Sequence, residues 1–350
     1  MSWAIISIIF AISALLTIAA TGLCLGAAIH FGIMNQPNRN VPQHTTAVAY
    51  LGGVGVALGG ITSLLLLQAF IPLRLLAFEQ RPHLPIAFLV GAALFLLLGL
   101  VDDFLTLSPM PKLILQIVAA AVAALFGINP YHSGHAFLGF ALSCGWIVLL
   151  VNAANVTDVC DGLLAGLSLV AFSFFGFFGS DHRFIAMALM GACFGFLAFN
   201  RPPARIFLGD AGSHLLGFTL AFFTLSEVAA HSRISTFAAM LLVTAVPLFE
   251  VSFLTAIRTR QKIPFWKGSP DHFALRLQAA GLSQGQTDLI ACSFMALFCG
   301  IAWVLLHDPP WQRQVILIAT TILILTGCWL LLLRFEVPVK CAVGRVTGTR

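Results

Sequence analysis

Polar residues are scarce along this chain and fall in short clusters between long apolar runs. Ser2 to Ile33, Thr46 to Leu73, Leu84 to Val101, Ile114 to Ile128, Ile234 to Ile257 and Val315 to Leu333 are almost unbroken Leu, Ala, Ile, Phe and Val. A helix needs about 20 apolar residues to cross hydrocarbon. The pattern therefore predicts an all-α polytopic membrane protein, with residues 1–350 forming a single integral membrane domain. Eleven transmembrane helices are expected, at about 3–33, 48–70, 84–101, 113–127, 136–151, 163–180, 184–199, 214–226, 234–257, 285–306 and 314–334.

Composition sharpens this picture. The chain is 59% hydrophobic and 9% charged, with a mean hydropathy of +0.99, whereas soluble domains carry about 25% charge. The first run reads as a span: it is too long for a secretory leader, lacks a basic flank and is followed by further spans. The eight cysteines include no C-x-x-C pair, so they read as small buried hydrophobes, neither disulfides nor a zinc site. No basic surface suited to nucleic acid is evident.

The net charge of +5 bears instead on topology. Thirteen lysines and arginines fall in gaps 34–47, 102–112, 152–162, 200–213, 258–284 and the tail from Arg334, against five in the alternate gaps. Basic loops stay cytoplasmic, so the N-terminus is expected outside and the C-terminus inside the cytoplasmic (inner) membrane. The same partition places Asp102, Asp103, Asp158, Asp161, Asp210 and Asp271 in cytoplasmic gaps. Five of these aspartates occupy three short gaps beside helix ends. Acids near hydrocarbon are costly without a cation or partner, so the cytoplasmic loops are expected to form one active site.

Four segments carry its chemistry. Asp102 and Asp103 are adjacent and precede Lys112; two such carboxylates need a cation to ionise together in a low-dielectric place. In "NAANVTDVCDGLLAG", Asn152, Asn155, Asp158 and Asp161 recur every third residue, which places them on one side of a turn. Their oxygens suit magnesium and nucleotide, although one or two could simply cap a helix. "FLGDAGSHLLGF" sets Asp210 in a Gly-Asp-x-Gly-Ser turn whose backbone amides, opening a span, suit phosphate. In the long basic loop, His272 and Arg276 are four apart and, sharing a helix face, could grip a pyrophosphate with Lys267. Arg258, Arg260 and Lys262 read as contacts to anionic headgroups. His44, in the Asn/Pro-rich first loop, reads as structural.

In this order the segments resemble the polyprenyl-phosphate N-acetylhexosamine-1-phosphate transferase family, especially its undecaprenyl-phosphate GlcNAc-1-phosphate transferase branch. The likeness covers nearly the whole chain: a P-N-x-x-x-x-x-H-type loop with a following Gly-Gly, the Asp-Asp loop and its lysine, N-x-x-N-x-x-D-x-x-D-G, G-D-x-G-S, and a histidine-bearing last loop. It implies transfer of N-acetylhexosamine-1-phosphate from a UDP-N-acetylhexosamine to undecaprenyl or another polyprenyl phosphate, with release of UMP. Such a step opens the synthesis of a cell-envelope polysaccharide such as lipopolysaccharide O-antigen. The cofactor implied is magnesium, with manganese as a substitute, and members often form homodimers. Asp210 would be the main metal ligand, with Asn155 near metal and nucleotide. Asp102 would deprotonate or orient the lipid phosphate beside Asp103. Lys112 would meet a phosphate, and His272 and Arg276 would hold the diphosphate. Asn152, Asp158 and Asp161 would serve the nucleotide side.

Three departures stand out. Val159 and Cys160 fill "DVCDG" where the family often has Asp-Gly-x-Asp-Gly, and Asn35 stands where aspartate is common. "PDHFALRL" lacks the histidine cluster of the phospho-MurNAc-pentapeptide translocases, which argues against that branch. An ion-coupled transporter would place its acids near the bilayer midplane, often on repeated broken helices, and these acids cluster at one face.

Overall fold

A computed structural model describes residues 3–35, 47–70, 84–127, 136–178, 182–231, 233–264, 266–307 and 309–337. His44 and most of the first loop, the loops 71–83 and 128–135, and the tail beyond 337 lie outside them. The described residues form thirteen helices: α1 (Trp3–Phe31), α2 (Gly52–Phe70), α3 (Leu84–Leu105), α4 (Pro109–Leu125), α5 (Ala136–Thr157), α6 (Leu163–Phe178), α7 (Arg183–Asn200), α8 (Gly209–His231), α9 (Ile234–Val243), α10 (Ala245–Arg260), α11 (Phe273–Ala279), α12 (Gln284–Leu306) and α13 (Trp311–Leu332). Two short antiparallel strands, β1 (Met34–Asn35) and β2 (Val48–Ala49), pair Met34 with Ala49 and Asn35 with Val48. Helices are the expected outcome of such runs, because hydrocarbon offers backbone groups no partner outside the segment.

Helix fills most of each of the eleven expected segments, Val48 and Ala49 forming β2 instead, while fewer reach a full span by length and composition. Among the described residues, seven helices are long and apolar enough to span a membrane, or eight if the bent pair α9–α10 is one span. Gly52–Leu66, Pro109–Leu125 and Leu163–Phe178 are shorter. At 1.5 Å per residue, 17 residues reach about 25 Å against a core of about 30 Å. The stretch 234–257, expected as one helix, breaks at Thr244 with a 72° bend. Pro247 supplies the cause: it cannot donate to the carbonyl of Val243, so a new helix starts with Pro in its first turn.

The centre of the bundle is α8, whose apolar window is 83% buried. It packs against α3 and α5. Phe218, Phe222 and Phe223 of α8 interleave with Phe88 and Phe95 of α3 and with Phe172 and Phe175 of α6. At the end that carries the acids, Gly99 of α3 lies directly on the Asp210–Ala211 backbone, so a Cβ there would strike main chain. That approach brings the last turn of α3 to the first turn of α8.

Candidate active site

Helix ends meet here, and they extend further than hydropathy suggests. Asp102 and Asp103 lie on the last turn of α3, Asn152 and Asn155 on the last turns of α5, and Asp210 on the first turn of α8. Lys112 follows Pro109, which opens α4. Its Nζ lies 2.6 Å from Asp102 Oδ2 and 2.5 Å from Asp210 Oδ2, bridging the two carboxylates. Asn155 Nδ2 donates to the other Asp210 oxygen at 2.7 Å and to Ser213 Oγ at 3.1 Å. Asp102 also accepts the Leu107 amide at 2.7 Å, closing the turn after α3.

Asp103 does something different from its neighbour. Its two oxygens accept the backbone N–H groups of Asp210 (2.7 Å) and Ala211 (3.0 Å). A carboxylate from α3 thus caps α8, where orphan amides and the helix dipole favour negative charge. This corrects the expectation that the Gly-Asp-x-Gly-Ser amides await phosphate: two of them are taken. Asp103 fixes the backbone that carries Asp210.

The every-third-residue row also divides. Helix α5 stops at Thr157, so only Asn152 and Asn155 share a helical face. Asn152 donates to Gln116 Oε1 at 2.7 Å, and Gln116 Nε2 lies 3.4 Å from His214 Nε2, a buried polar line under the site. Asp158 and Asp161 lie in the turn that follows. Asp161 accepts the Ala204 amide at 2.9 Å, and Asn200 accepts the Gly162 amide at 3.0 Å while donating to Ile206 O, which pins this turn to 200–206.

Two cavities meet at the cluster. A polar one of about 330 Å³ is lined by Asp158, Asp161, Asp210, Tyr50, Asn200 and His272, among others. A larger one of about 580 Å³ sets Asp102, Lys112, Gln116 and Asn152 against Leu107, Met110, Leu113, Val148, Leu149 and Leu254. Asn155, Val156, Arg258 and Trp266 line both. The polar side is rich in carboxyl groups. Burial pushes the Asp158 carboxyl well above the usual range, with Asp210, Asp103 and Asp161 adding repulsion. Burial, with Asp103, Asp210, Asp158 and Asp102 nearby, raises the Tyr50 phenol.

The basic loop departs most from expectation. His272 precedes α11 with extended backbone instead of sharing its face with Arg276. It lines the polar cavity, and its Nδ1 lies 2.6 Å from Glu250 Oε1. Arg276, expected to grip a diphosphate, is 4% exposed and lines neither cavity. It donates to Asp271 Oδ1 at 2.6 Å and to the carbonyls of Leu332 (3.1 Å) and Phe335 (2.7 Å), tying the loop to the end of α13. Arg258, by contrast, is 7% exposed, lines both cavities and donates to Ser269 Oγ at 3.2 Å.

Among the described residues, no three His, Cys, Asp or Glu side chains are grouped to hold a metal alone. Magnesium usually takes one or two carboxylates and leaves its other positions to substrate phosphates and water. Asp210 with the amide oxygen of Asn155 fits that donor set, in surroundings where acids outnumber cations.

Fold and site together define a helical integral membrane protein with an acidic centre between a polar cavity and one flanked by apolar side chains. The sequence model described as Glycosyl transferase family 4 matches residues 85–227, from α3 to the end of α8. A probable undecaprenyl-phosphate N-acetylglucosaminyl 1-phosphate transferase of Bacillus subtilis is 28% identical over 321 residues, covering 87% of this chain and 86% of that protein. A decaprenyl-phosphate N-acetylglucosaminephosphotransferase of Mycobacterium tuberculosis is 30% identical over 313 residues, covering 79% and 77%. A phospho-N-acetylmuramoyl-pentapeptide-transferase of Clostridioides difficile matches at 34% over 163 residues, only 39% of this chain and 51% of that one. The chain belongs to glycosyl transferase family 4.

Proposed function

We propose that this protein transfers an N-acetylhexosamine-1-phosphate from a UDP-sugar to a polyprenyl phosphate and releases UMP. One observation carries the reading: Asp210, in the wall of the polar cavity, is bridged through Lys112 to Asp102 in the wall of the other, and its partner Asn155 lines both. The polar cavity, read as the water side, suits a nucleotide diphosphate, and the apolar-flanked one suits a phosphate carried on a lipid. The basic-residue partition supports a site facing the cytoplasm.

In the reaction an oxygen of the lipid phosphate forms a bond to the sugar-bearing phosphorus, and the bond from that phosphorus to UMP breaks. UMP leaves with the bridging oxygen. Phosphoryl transfer of this kind asks for positioning and charge cancellation more than covalent help. Asp102 orients the acceptor phosphate or takes its residual proton. Lys112 and Arg258 stand where the two phosphates approach, and His272 faces the donor. Asp158 and Asp161 shape the nucleotide side. Asp210 and Asn155 would hold magnesium, which when bound offsets charge on the diphosphate oxygens.

The test is UMP release by purified protein in detergent, with undecaprenyl phosphate and a panel of UDP-N-acetylhexosamines. Release that needs lipid and divalent metal, and is lost in Asp210→Ala, supports the reading. No UMP from any donor, in folded protein, overturns it.

A further inference from the structure

Glu250 belongs to none of the motifs above. It lies within the apolar segment of α10 and is fully buried. An ionised carboxylate in such a place costs several kcal/mol unless its oxygens are satisfied. Here one oxygen lies 2.6 Å from His272 Nδ1 and the other accepts the Phe273 amide at 3.1 Å. Both partners belong to the start of α11, so a membrane-embedded acid reaches out to a loop. Burying a charge merely to cap a seven-residue helix is a poor exchange in stability.

We propose that Glu250 is a positioning residue for the transfer reaction: it holds His272 by Nδ1, so that Nε2 is the atom presented to the water-side cavity. This rests on the reading of that cavity as the nucleotide diphosphate site. With the carboxylate accepting at Nδ1, the ring keeps one orientation and one tautomeric arrangement, as for ligating histidines backed by a carboxylate. Nε2 then meets the diphosphate without first choosing a rotamer. The bend at Thr244 and the backing of His272 are thereby linked, because α10, redirected by the bend, carries Glu250 six residues further on.

The test is calorimetric binding of UDP and of uridine to the whole protein in detergent with magnesium, together with transfer kinetics. Glu250→Gln should weaken UDP by about tenfold and lower kcat by about 10- to 100-fold, the usual effect of losing such a backing carboxylate. Uridine should bind as before, and Glu250→Asp should recover most of the loss. In a His272→Asn background, adding Glu250→Gln should cost nothing more. Losses that multiply in the double variant, or that touch UDP and uridine alike, would overturn the proposal and leave Glu250 as a cap for α11. Wild-type protein that binds no UDP would sink the nucleotide reading itself, and the positioning role with it.

Discussion

Lys112 occupies the charge site of the aspartate assigned to the metal. Its ammonium lies 2.5 Å from Asp210 Oδ2 and 2.6 Å from Asp102 Oδ2, and the lysine side chain is 16% exposed. Since Asn155 takes the other Asp210 oxygen, a divalent ion can engage Asp210 fully only if Lys112 lets go. A hydrogen bond to a charged group nets about 1.5–3 kcal/mol. Giving up the Lys112–Asp210 contact therefore weakens metal binding by about ten- to a hundredfold. The prediction is an opposition of signs: Lys112→Met binds Mn²⁺ about ten- to a hundredfold more tightly than wild type, yet its UMP release is abolished. Free Mn²⁺ in detergent solution, followed by electron paramagnetic resonance without substrate, gives the affinity directly. Equal or weaker binding by folded Lys112→Met would refute the reasoning, showing that lysine and metal do not compete for Asp210.

Other predictions follow from particular contacts. Asp103→Ala removes the cap of α8, lowering stability by about 1–2 kcal/mol and slowing transfer, with thermal unfolding and UMP assays as the measures. The two buried arginines should separate: Arg276→Ala destabilises by about 3–5 kcal/mol, as breaking a buried pair does, but leaves the donor KM of the folded fraction unchanged. Arg258→Ala should raise that KM on the order of tenfold, a loss of about 1.4 kcal/mol. Burial and neighbouring acids raise the Asp158 carboxyl, so the stabilising contribution of its protonated form is present below the ordinary carboxylate range of about 4 and is lost as pH rises through its raised value. In chelator, the unfolding temperature should fall as pH rises toward neutral, and Asp158→Asn should flatten that slope.

Much of the architecture was legible, and the errors share a cause. Apolar runs mark where helices must exist, but a helix does not end where its side chains turn polar. Its backbone bonds continue, so Asp102, Asn155 and Asp210 ride on helix ends and not on loops. The acids at these ends were convergent, as their crowding implied. Spacing misled at His272, which precedes α11 and does not share a face with Arg276, whereas Asn155, Asp158 and Asp161 still meet in the polar cavity although the last two follow the end of α5. Arg258 read as a headgroup contact because its basic neighbours invite that reading; only the packing of α10 shows it turned inward. Glu250 did leave a signal, a lone acid inside an apolar run, which is a flag for function in its own right. Gln116 and His214, buried beneath the cluster, look like ordinary polar interruptions of a helix until the helices are assembled.

On the proposed reading, the seam at Asn155 and Arg258 joins two phases as well as two cavities. One substrate arrives as a solute, counted in moles per litre, and the other as a fraction of the bilayer. The second encounter is then a lateral one, in two dimensions. Adding inert detergent at constant protein and lipid acceptor should slow turnover, while diluting the whole mixture with buffer at saturating UDP-sugar should not. The quantity that governs such an enzyme is the crowding of its lipid partner within the plane, a variable that its soluble substrate never experiences.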